Sequence, residues 1–242
     1  MAYALCILLG IVLGALARKL DRDPPTPHRQ ALSAIALVGA LSGAFLLQLP
    51  ADAFGWSASR AGEPIVAGAF GGRTVVGGLL GGWLAVEAGK RGLDVRTATG
   101  DGFALPLAIA LACGRLGCFF TGCCAGRRLD PGERYEWWRG LAIDDGHGSH
   151  RFPAQLAEVA FHAIAAVVLF ATMRAGIGKN RRFALYVAAY AAFRFALEWL
   201  RDNPRLALGL TYYQWLAVPL FALAAGTWLV RSLPRRPAPA TA

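Results

Sequence analysis

Charged side chains are scarce in this chain. They account for 17% of its 242 residues, whereas an average soluble domain carries about 25%. Hydrophobic residues account for 56%, and the mean hydropathy is +0.43. A charge content this low, combined with long apolar runs, excludes an ordinary soluble domain and indicates an integral membrane protein.

Cysteine is also scarce, and the five cysteines are an odd number, which excludes a disulfide-rich secreted scaffold. No basic residue precedes the first apolar run, and Arg18 and Lys19 follow it instead. The sequence therefore does not show the pattern of a cleavable signal peptide.

Acidic residues are fewer than basic ones, so the net charge is +10 and the pI is about 10.0. In a soluble protein this excess would suggest a nucleic-acid partner. Here the basic residues cluster in loops between apolar runs, where they indicate membrane topology. We therefore expect membrane lipids with anionic headgroups as partners, and no nucleic acid.

A helix that crosses a bilayer needs about 20 mostly apolar residues. Runs of this kind predict seven spans, at about 2–18, 31–50, 64–89, 103–121, 154–173, 183–201 and 212–231. The prediction is an all-α polytopic protein with one seven-helix domain over residues 1–233. It has a long extracytoplasmic loop at about 122–153 and a disordered cytoplasmic tail at 234–242.

The orientation follows from lysine and arginine counts. The loops after the first, third and fifth runs, together with the tail, hold fourteen of these residues, and the alternate loops hold eight. By the positive-inside rule the first set is cytoplasmic. The N-terminus is then outside and the C-terminus inside. The loop at 122–153 carries five arginines although it is placed on the outer side, where the rule predicts few. This excess suggests that some of these arginines have a function.

In this topology, polar residues from four segments meet in the outer half of the bilayer. A charge at mid-bilayer costs about 2.5–3.5 kcal/mol, so a charge within a span normally faces a partner or a wet cavity. The residues are Arg73 and its neighbouring glycines, Arg115, then Gln155 and Glu158, and finally Tyr190, Arg194, Glu198 and Arg201.

The segment YAAFRFALEWLR spaces its four polar residues by four, four and three positions, which predicts a single polar helix face. One interpretation is a structural ion pair between Arg194 and Glu198. The other is a phosphate clamp formed by Arg115 and Arg194, because guanidinium groups match phosphate geometry. We favour the clamp, since the ion pair does not explain Arg115 at the same depth.

The segment GGRTVVGGLLGG has six glycines in twelve residues. Small residues let helices approach closely, so Gly77, Gly78 and Gly81 fit a packing seam. The alternative is an unwound helix whose backbone N–H groups bind an anion. Both functions are compatible with the sequence.

Cys118, Cys123 and Cys124 form a CxxxxCC pattern. A zinc site, aided by His147 or His150, and a disulfide are two interpretations. The favoured one is that these are small residues lining a turn. Because the pattern lacks a paired CxxC, we expect that the three cysteines are not zinc ligands.

Five motifs in chain order resemble the bacterial prolipoprotein diacylglyceryl transferase family. The resemblance covers nearly the whole chain. The motifs are GRLGCFFTGCCAGR with Arg115, Gly117, Gly122 and Gly126; GGRTVVGGLLGG; RFPAQLAE with Gln155 and Glu158; YAAFRFALEWLR; and LTYYQWLAVP.

The resemblance implies a multi-pass enzyme of the bacterial cytoplasmic (inner) membrane that functions in lipoprotein biosynthesis without a cofactor. It implies transfer of the diacylglyceryl group of phosphatidylglycerol to a cysteine thiol of a prolipoprotein, with release of glycerol phosphate. Arg115 and Arg194 would hold the lipid phosphate, Glu198 and Arg201 would orient them, and Tyr190 would supply a hydroxyl. Residues expected to bind substrate are Gly77, Gly78, Gly117, Gly122, Gly126, Gln155, Glu158 and Arg201.

The chain departs from the family pattern at several polar positions. Val76 stands where the family has a histidine considered important for catalysis. Cys118 and Cys123 replace an asparagine and a glutamate, and Phe152 and Ala157 replace a histidine and a tyrosine. We expect Cys118, three residues after Arg115, to serve as the proton acceptor in place of the histidine.

These departures leave two alternatives to the family reaction. The chain is a divergent paralogue that moves a phospholipid-derived group to a different acceptor, or it is a non-catalytic lipid-binding or thiol-redox membrane protein.

Overall fold

A computed structural model describes residues 1–20, 27–57, 74–129, 143–144 and 150–233. The predicted all-α class is confirmed, because eight α-helices account for nearly all of the regular structure in these ranges. They are α1 Ala2–Lys19, α2 Pro27–Leu46, α3 Leu49–Ala53, α4 Val75–Gly92, α5 Asp101–Phe120, α6 Ala154–Arg174, α7 Arg182–Leu197 and α8 Tyr212–Ser232.

Short elements lie between α5 and α6 and between α7 and α8. Two 3-10 helices, Glu198–Leu200 and Ala207–Gly209, lie between α7 and α8. Strand β1, Ile143–Asp144, pairs antiparallel with β2, His150–Arg151. The predicted loop at 122–153 is thus partly ordered where it is described, and the predicted tail at 234–242 lies outside the described residues.

Six helical segments of the described ranges are long and apolar enough to cross a membrane. They match six of the predicted spans, with boundaries that shift by a few residues. The predicted third span, 64–89, is described only from Thr74 onward. Its helix, α4, is not among the six, and it carries Glu87, Lys90 and Arg91 in its last turns.

Consecutive long helices run antiparallel, so alternate helix ends meet on one side of the bundle. The start of α1 lies against the end of α5, where Gly117 faces Tyr3. The end of α2 is joined to the start of α8 by a hydrogen bond of 2.9 Å between Gln48 Nε2 and the Tyr213 hydroxyl. The ends predicted to share the outer side do meet in the structure.

Helix α1 buries only small residues. Cys6, Gly10, Gly14 and Ala17 recur at intervals of three or four and face α5, where a Cβ at Gly10 would lie 3.0 Å from the Cβ of Cys113. The large apolar side chains of α1 are exposed, as expected for a surface in contact with lipid.

Helices α2 and α4 approach each other closely, and glycine makes this approach possible. A Cβ at Gly43 would lie 2.5 Å from the carbonyl oxygen of Gly77 and 2.7 Å from the Cα of Gly81. Backbone atoms cannot move aside as a flexible side chain can. This seam therefore requires residues without a side chain.

Substitution of Gly81 by alanine should separate α2 from α4. Its Cβ would lie 2.7 Å from the Cα of Gly43 and closer still to the carbonyl oxygen of Gly39. We expect a cost of about 1–3 kcal/mol, measured as a lower Tm of the detergent-solubilised protein. Gly92→Ala is the control, because no atom lies within 4 Å of a Cβ there. Equal Tm values for the two variants would contradict the packing account.

Candidate active site

Buried polar side chains collect where α5 and α7 end and α6 and α8 begin. Tyr190 and Glu198 are fully buried, Glu158 likewise, and Arg194 is 5% exposed. These groups come from separate segments of the chain, as the sequence predicted. We refer to Arg115, Glu158, Arg194, Glu198 and Arg201 as the arginine cluster.

Glu158 is the central carboxylate of the cluster. Its Oε2 lies 2.7 Å from Nε of Arg115 and accepts a hydrogen bond of 3.2 Å from the Tyr190 hydroxyl. Helices α5, α6 and α7 each contribute one of these three residues. The contact therefore fixes the relative positions of three helices.

Glu198 is the second carboxylate, and it joins α7 to α8. It accepts a short hydrogen bond from Nη1 of Arg194, one turn earlier in the chain. Its Oε1 also accepts hydrogen bonds from the Thr211 hydroxyl, at 3.1 Å, and from Nδ2 of Asn203, at 2.5 Å. Arg194 is thereby held in one orientation by a carboxylate that is itself fixed.

Arg201 reaches the cluster from outside the helix. The prediction of one continuous polar helix face is wrong at this position, because α7 ends at Leu197 and Arg201 has extended backbone angles. Pro204 follows shortly after, and helices tend to end before a proline. Arg201 Nη1 lies 3.9 Å from Oε1 of Glu158, and its Nη2 donates to the carbonyl oxygen of Cys124 at 2.5 Å.

The cluster carries unequal charge. Three guanidinium groups face two carboxylates, which leaves a formal charge of +1 among buried and partly buried residues. An uncompensated buried charge is costly. The arrangement therefore favours one additional anion, and guanidinium groups suit a phosphate in particular.

A cysteine-bearing turn follows α5 and lies against the cluster. Gly122 and Cys124 have positive φ angles of 69° and 62°, a backbone conformation that most residues avoid. The turn is fixed by hydrogen bonds from Gln155 Nε2 to the carbonyl oxygen of Cys123, at 2.5 Å, and from Arg201 to that of Cys124.

The Sγ atoms of Cys118, Cys123 and Cys124 all lie within 4.8 Å of one another. Hydrogen bonds from the other two thiols hold the pKa of the Cys124 thiol below its ordinary value. Burial acts in the opposite direction, and the charges of Arg115 and Arg201 lower this pKa further. The sequence did not predict that all three sulfur atoms would converge.

The glycines named from the sequence differ in their surroundings. Gly77 and Gly78 face α2, and Gly117 faces α1, so all three are packing positions. Gly126 is required by close approach, since a Cβ there would lie 2.5 Å from the carbonyl oxygen of Leu200. Their predicted contacts with substrate stay predictions.

Val76, at the position of the family histidine, is 1% exposed and belongs to the hydrophobic core. Arg73 and the glycines at 71 and 72 lie outside the described residues, as does His147.

Two features of this site, a capping box and a buried histidine, were not predicted from the sequence. Thr211 and Gln214 form a capping box at the start of α8, and the pattern Thr-x-x-Gln could have revealed it. His162 lies four residues after Glu158 on α6, and its Nδ1 is 2.9 Å from the Tyr186 hydroxyl. Within the described part of the chain its Nε2 is buried without a hydrogen-bond partner.

Comparison with known proteins shows the family of this chain. A family model described as prolipoprotein diacylglyceryl transferase matches residues 1–230. The chain belongs to this family. The resemblance inferred from five short motifs is therefore confirmed.

Relatives in the prolipoprotein diacylglyceryl transferase family come from several bacteria. A phosphatidylglycerol–prolipoprotein diacylglyceryl transferase of Bordetella parapertussis is 33% identical over 174 residues, which cover 68% of this chain and 63% of that protein. The transferase of this name from Paenarthrobacter aurescens is 32% identical over 258 residues, covering 96% and 79%. Transferase 1 of Streptomyces coelicolor is 35% identical over 164 residues, covering 66% and 46%.

The alignments thus span about half to two thirds of the length of most of these transferases. They establish family membership. Together with the six apolar helices of the described residues, this membership indicates a multi-pass membrane protein.

Proposed function

We propose that this protein transfers the diacylglyceryl group of phosphatidylglycerol to the thiol of a prolipoprotein cysteine and releases glycerol phosphate. The observation that carries the proposal is the buried arginine cluster with its formal charge of +1. A phosphodiester headgroup carries one negative charge, which neutralises this excess. The names of the relatives point to the same lipid and the same acceptor class.

In the proposed reaction, the acceptor sulfur attacks the glyceryl carbon that bears the phosphate ester. A C–S bond forms, the C–O bond breaks, and its electron pair leaves with glycerol phosphate, while the thiol proton passes to water. Arg115 and Arg194 stabilise the negative charge of the phosphate. Glu158 and Glu198 hold these two arginines in place, and Tyr190 positions the glyceryl portion of the lipid.

The remaining proposed roles surround this clamp. Gln155 and Arg201 hold the cysteine-bearing turn beside it, through the bonds to Cys123 and Cys124. Cys118, on the last turn of α5, contributes to activation of the acceptor thiol. The glycines at 77, 78, 117, 122 and 126 allow the close backbone contacts around the lipid-binding space.

The proposal includes seven membrane spans, with the third formed by α4 and the residues before it. The N-terminus is outside and the C-terminus in the cytoplasm, which places the arginine cluster in the outer half of the bacterial cytoplasmic membrane. The excess of lysine and arginine in alternate loops supports this orientation.

A single assay tests the function. Purified protein is incubated with phosphatidylglycerol and a peptide that carries a prolipoprotein cysteine, and both products are followed by mass spectrometry. We expect glycerol phosphate and a peptide heavier by one diacylglyceryl group. Phosphatidylethanolamine serves as the control lipid, because its headgroup carries no net charge.

A second candidate function is favoured by Val76 in place of the family histidine. The protein would then move the same lipid group to a different acceptor. Release of glycerol phosphate without modification of the peptide would support this divergent activity. Absence of both products, with phosphatidylglycerol still bound, would leave a lipid-binding or thiol-redox protein.

A further inference from the structure

The three sulfur atoms at the end of α5 form a second cluster beside the arginines. Cys118 is buried on the last turn of the helix, and Cys123, which is exposed, opens the cluster to the outside. Cys118 lies three residues after Arg115, and Cys124 is tied to Arg201 through its carbonyl oxygen. The thiol cluster and the arginine cluster therefore lie next to each other.

The separation of the sulfur atoms fits a metal ion. Zinc binds thiolates at about 2.3 Å with tetrahedral angles, which places neighbouring sulfur atoms about 3.8 Å apart. The observed separations of up to 4.8 Å require shifts of less than about 1 Å to reach that geometry. Side-chain rotation alone can supply such shifts.

Backbone contacts of the turn hold the three thiols near one another. The backbone N–H of Cys123 donates to the carbonyl oxygen of Cys118 at 3.1 Å, and the positive φ angles at Gly122 and Cys124 reverse the chain. The linear spacing lacks a CxxC pair, which argued against zinc. The turn, with its positive φ angles at Gly122 and Cys124, nevertheless brings the sulfur atoms as close together as a CxxC pair would.

The surroundings suit metal-bound thiolates. The Thr121 hydroxyl lies 3.3 Å from Sγ of Cys123, and its one proton also faces the carbonyl oxygens of Gly117, at 3.0 Å, and Cys118, at 3.2 Å. A polar group beside the ligand atoms is a common feature of metal sites. Three protein ligands also leave the fourth position of zinc open, which is typical of catalytic sites.

We propose that Cys118, Cys123 and Cys124 form a three-thiolate zinc site whose open position binds the acceptor thiol as a thiolate. The role in catalysis rests on the proposed function, whereas the binding of zinc does not. The proposal replaces two expectations from the sequence, that Cys118 acts as a free proton acceptor and that the three cysteines are not zinc ligands, because their sulfur atoms converge in the structure.

This zinc site would activate the acceptor thiol in place of the family histidine, whose position is occupied here by Val76. A free cysteine thiol has a pKa of about 8.5, so it is mostly protonated at neutral pH. A thiol that coordinates a metal is deprotonated outright. The acceptor would lose its proton to water on coordination, and its sulfur would then attack the glyceryl carbon held by the arginine cluster.

The first test measures metal in the full-length protein. The protein is produced in zinc-supplemented medium, purified in detergent without chelator, and analysed by mass spectrometry of the elements. We expect about one zinc ion per chain, lost in Cys123→Ser. Cys113→Ser is the control, because that thiol lies on α5, as Cys118 does, but outside the cluster. Cobalt substitution should give intense sulfur-to-cobalt absorption in the control and not in Cys123→Ser.

Three outcomes of this measurement would overturn the zinc site. They are wild-type protein without metal after zinc supplementation, equal zinc in wild type and Cys123→Ser, and a disulfide between two of the three cysteines. Retention of zinc by Cys113→Ser with loss in Cys123→Ser supports it.

The second test separates the zinc site from the proposed function. Removal of zinc by a chelator should lower transfer to the peptide at least about tenfold while phosphatidylglycerol binding stays unchanged, and added zinc should restore transfer. Transfer that does not depend on zinc would overturn the catalytic role. Bound zinc without transfer to any thiol would contradict the proposed function and leave the metal site intact.

Discussion

Arg194→Lys is expected to lose nearly as much transfer activity as Arg194→Ala. The guanidinium of Arg194 is almost fully buried and is held by Glu198, itself fixed by two further donors. An ammonium group keeps the charge but cannot form two parallel hydrogen bonds to phosphate. We expect both variants to release glycerol phosphate about 10²-fold more slowly or worse, the scale seen when one such stabilising donor is removed.

The matched control for this result is Arg174→Lys. Arg174 is exposed in the last turn of α6, at the opposite end of the bundle. A general effect of replacing arginine by lysine in this membrane protein would appear in both variants. A turnover of Arg194→Lys close to that of the wild type would refute the phosphate clamp.

Glu158→Gln should produce the largest loss of stability. The substitution preserves the size of the side chain but leaves the three guanidinium groups of the cluster with Glu198 as their single carboxylate partner in it. Breaking a buried ion pair by removing one partner costs about 3–5 kcal/mol. We expect a markedly lower Tm in detergent without added lipid.

Phosphatidylglycerol should recover part of that loss. Its phosphate supplies a negative charge to the same arginines, and a ligand that binds the folded state raises its stability. Glu87→Gln is the control, because Glu87 pairs with Lys90 on α4 and is 41% exposed. If Glu158→Gln melts with the wild type, or if the lipid raises the Tm of both variants equally, the electrostatic account of the cluster is incorrect.

Much of the arginine cluster could be predicted from the sequence, because charged residues inside membrane spans are energetically costly and therefore stand out. Arg115 and Arg194 stand within apolar runs, and charge in such runs demands a partner. Alternation of span direction then places Arg115, Glu158 and Arg194 at one depth. The pairing itself was not predictable, since helical spacing linked Arg194 to Glu198 but nothing local linked Arg115 to Glu158.

The thiol cluster shows where local patterns mislead. CxxxxCC is not a recognised ligand spacing, and a sequence does not report which residues adopt positive φ. Only the turn at Gly122 and Cys124, fixed by Gln155 from α6 and Arg201 from beyond α7, brings the three sulfur atoms together. The contacts that hold it come from far along the chain.

The sequence by itself determined the membrane class, six of the spans, the antiparallel order of the helices and the polar residues of the site. These depend on the length and hydropathy of each segment, which are local properties. Tertiary structure decided that Gly77 and Gly81 serve helix packing, that α7 ends before Arg201, and that Cys118 meets Cys123 and Cys124. Each of these depends on atoms from distant segments that approach within a few ångströms, and no local pattern encodes such distances.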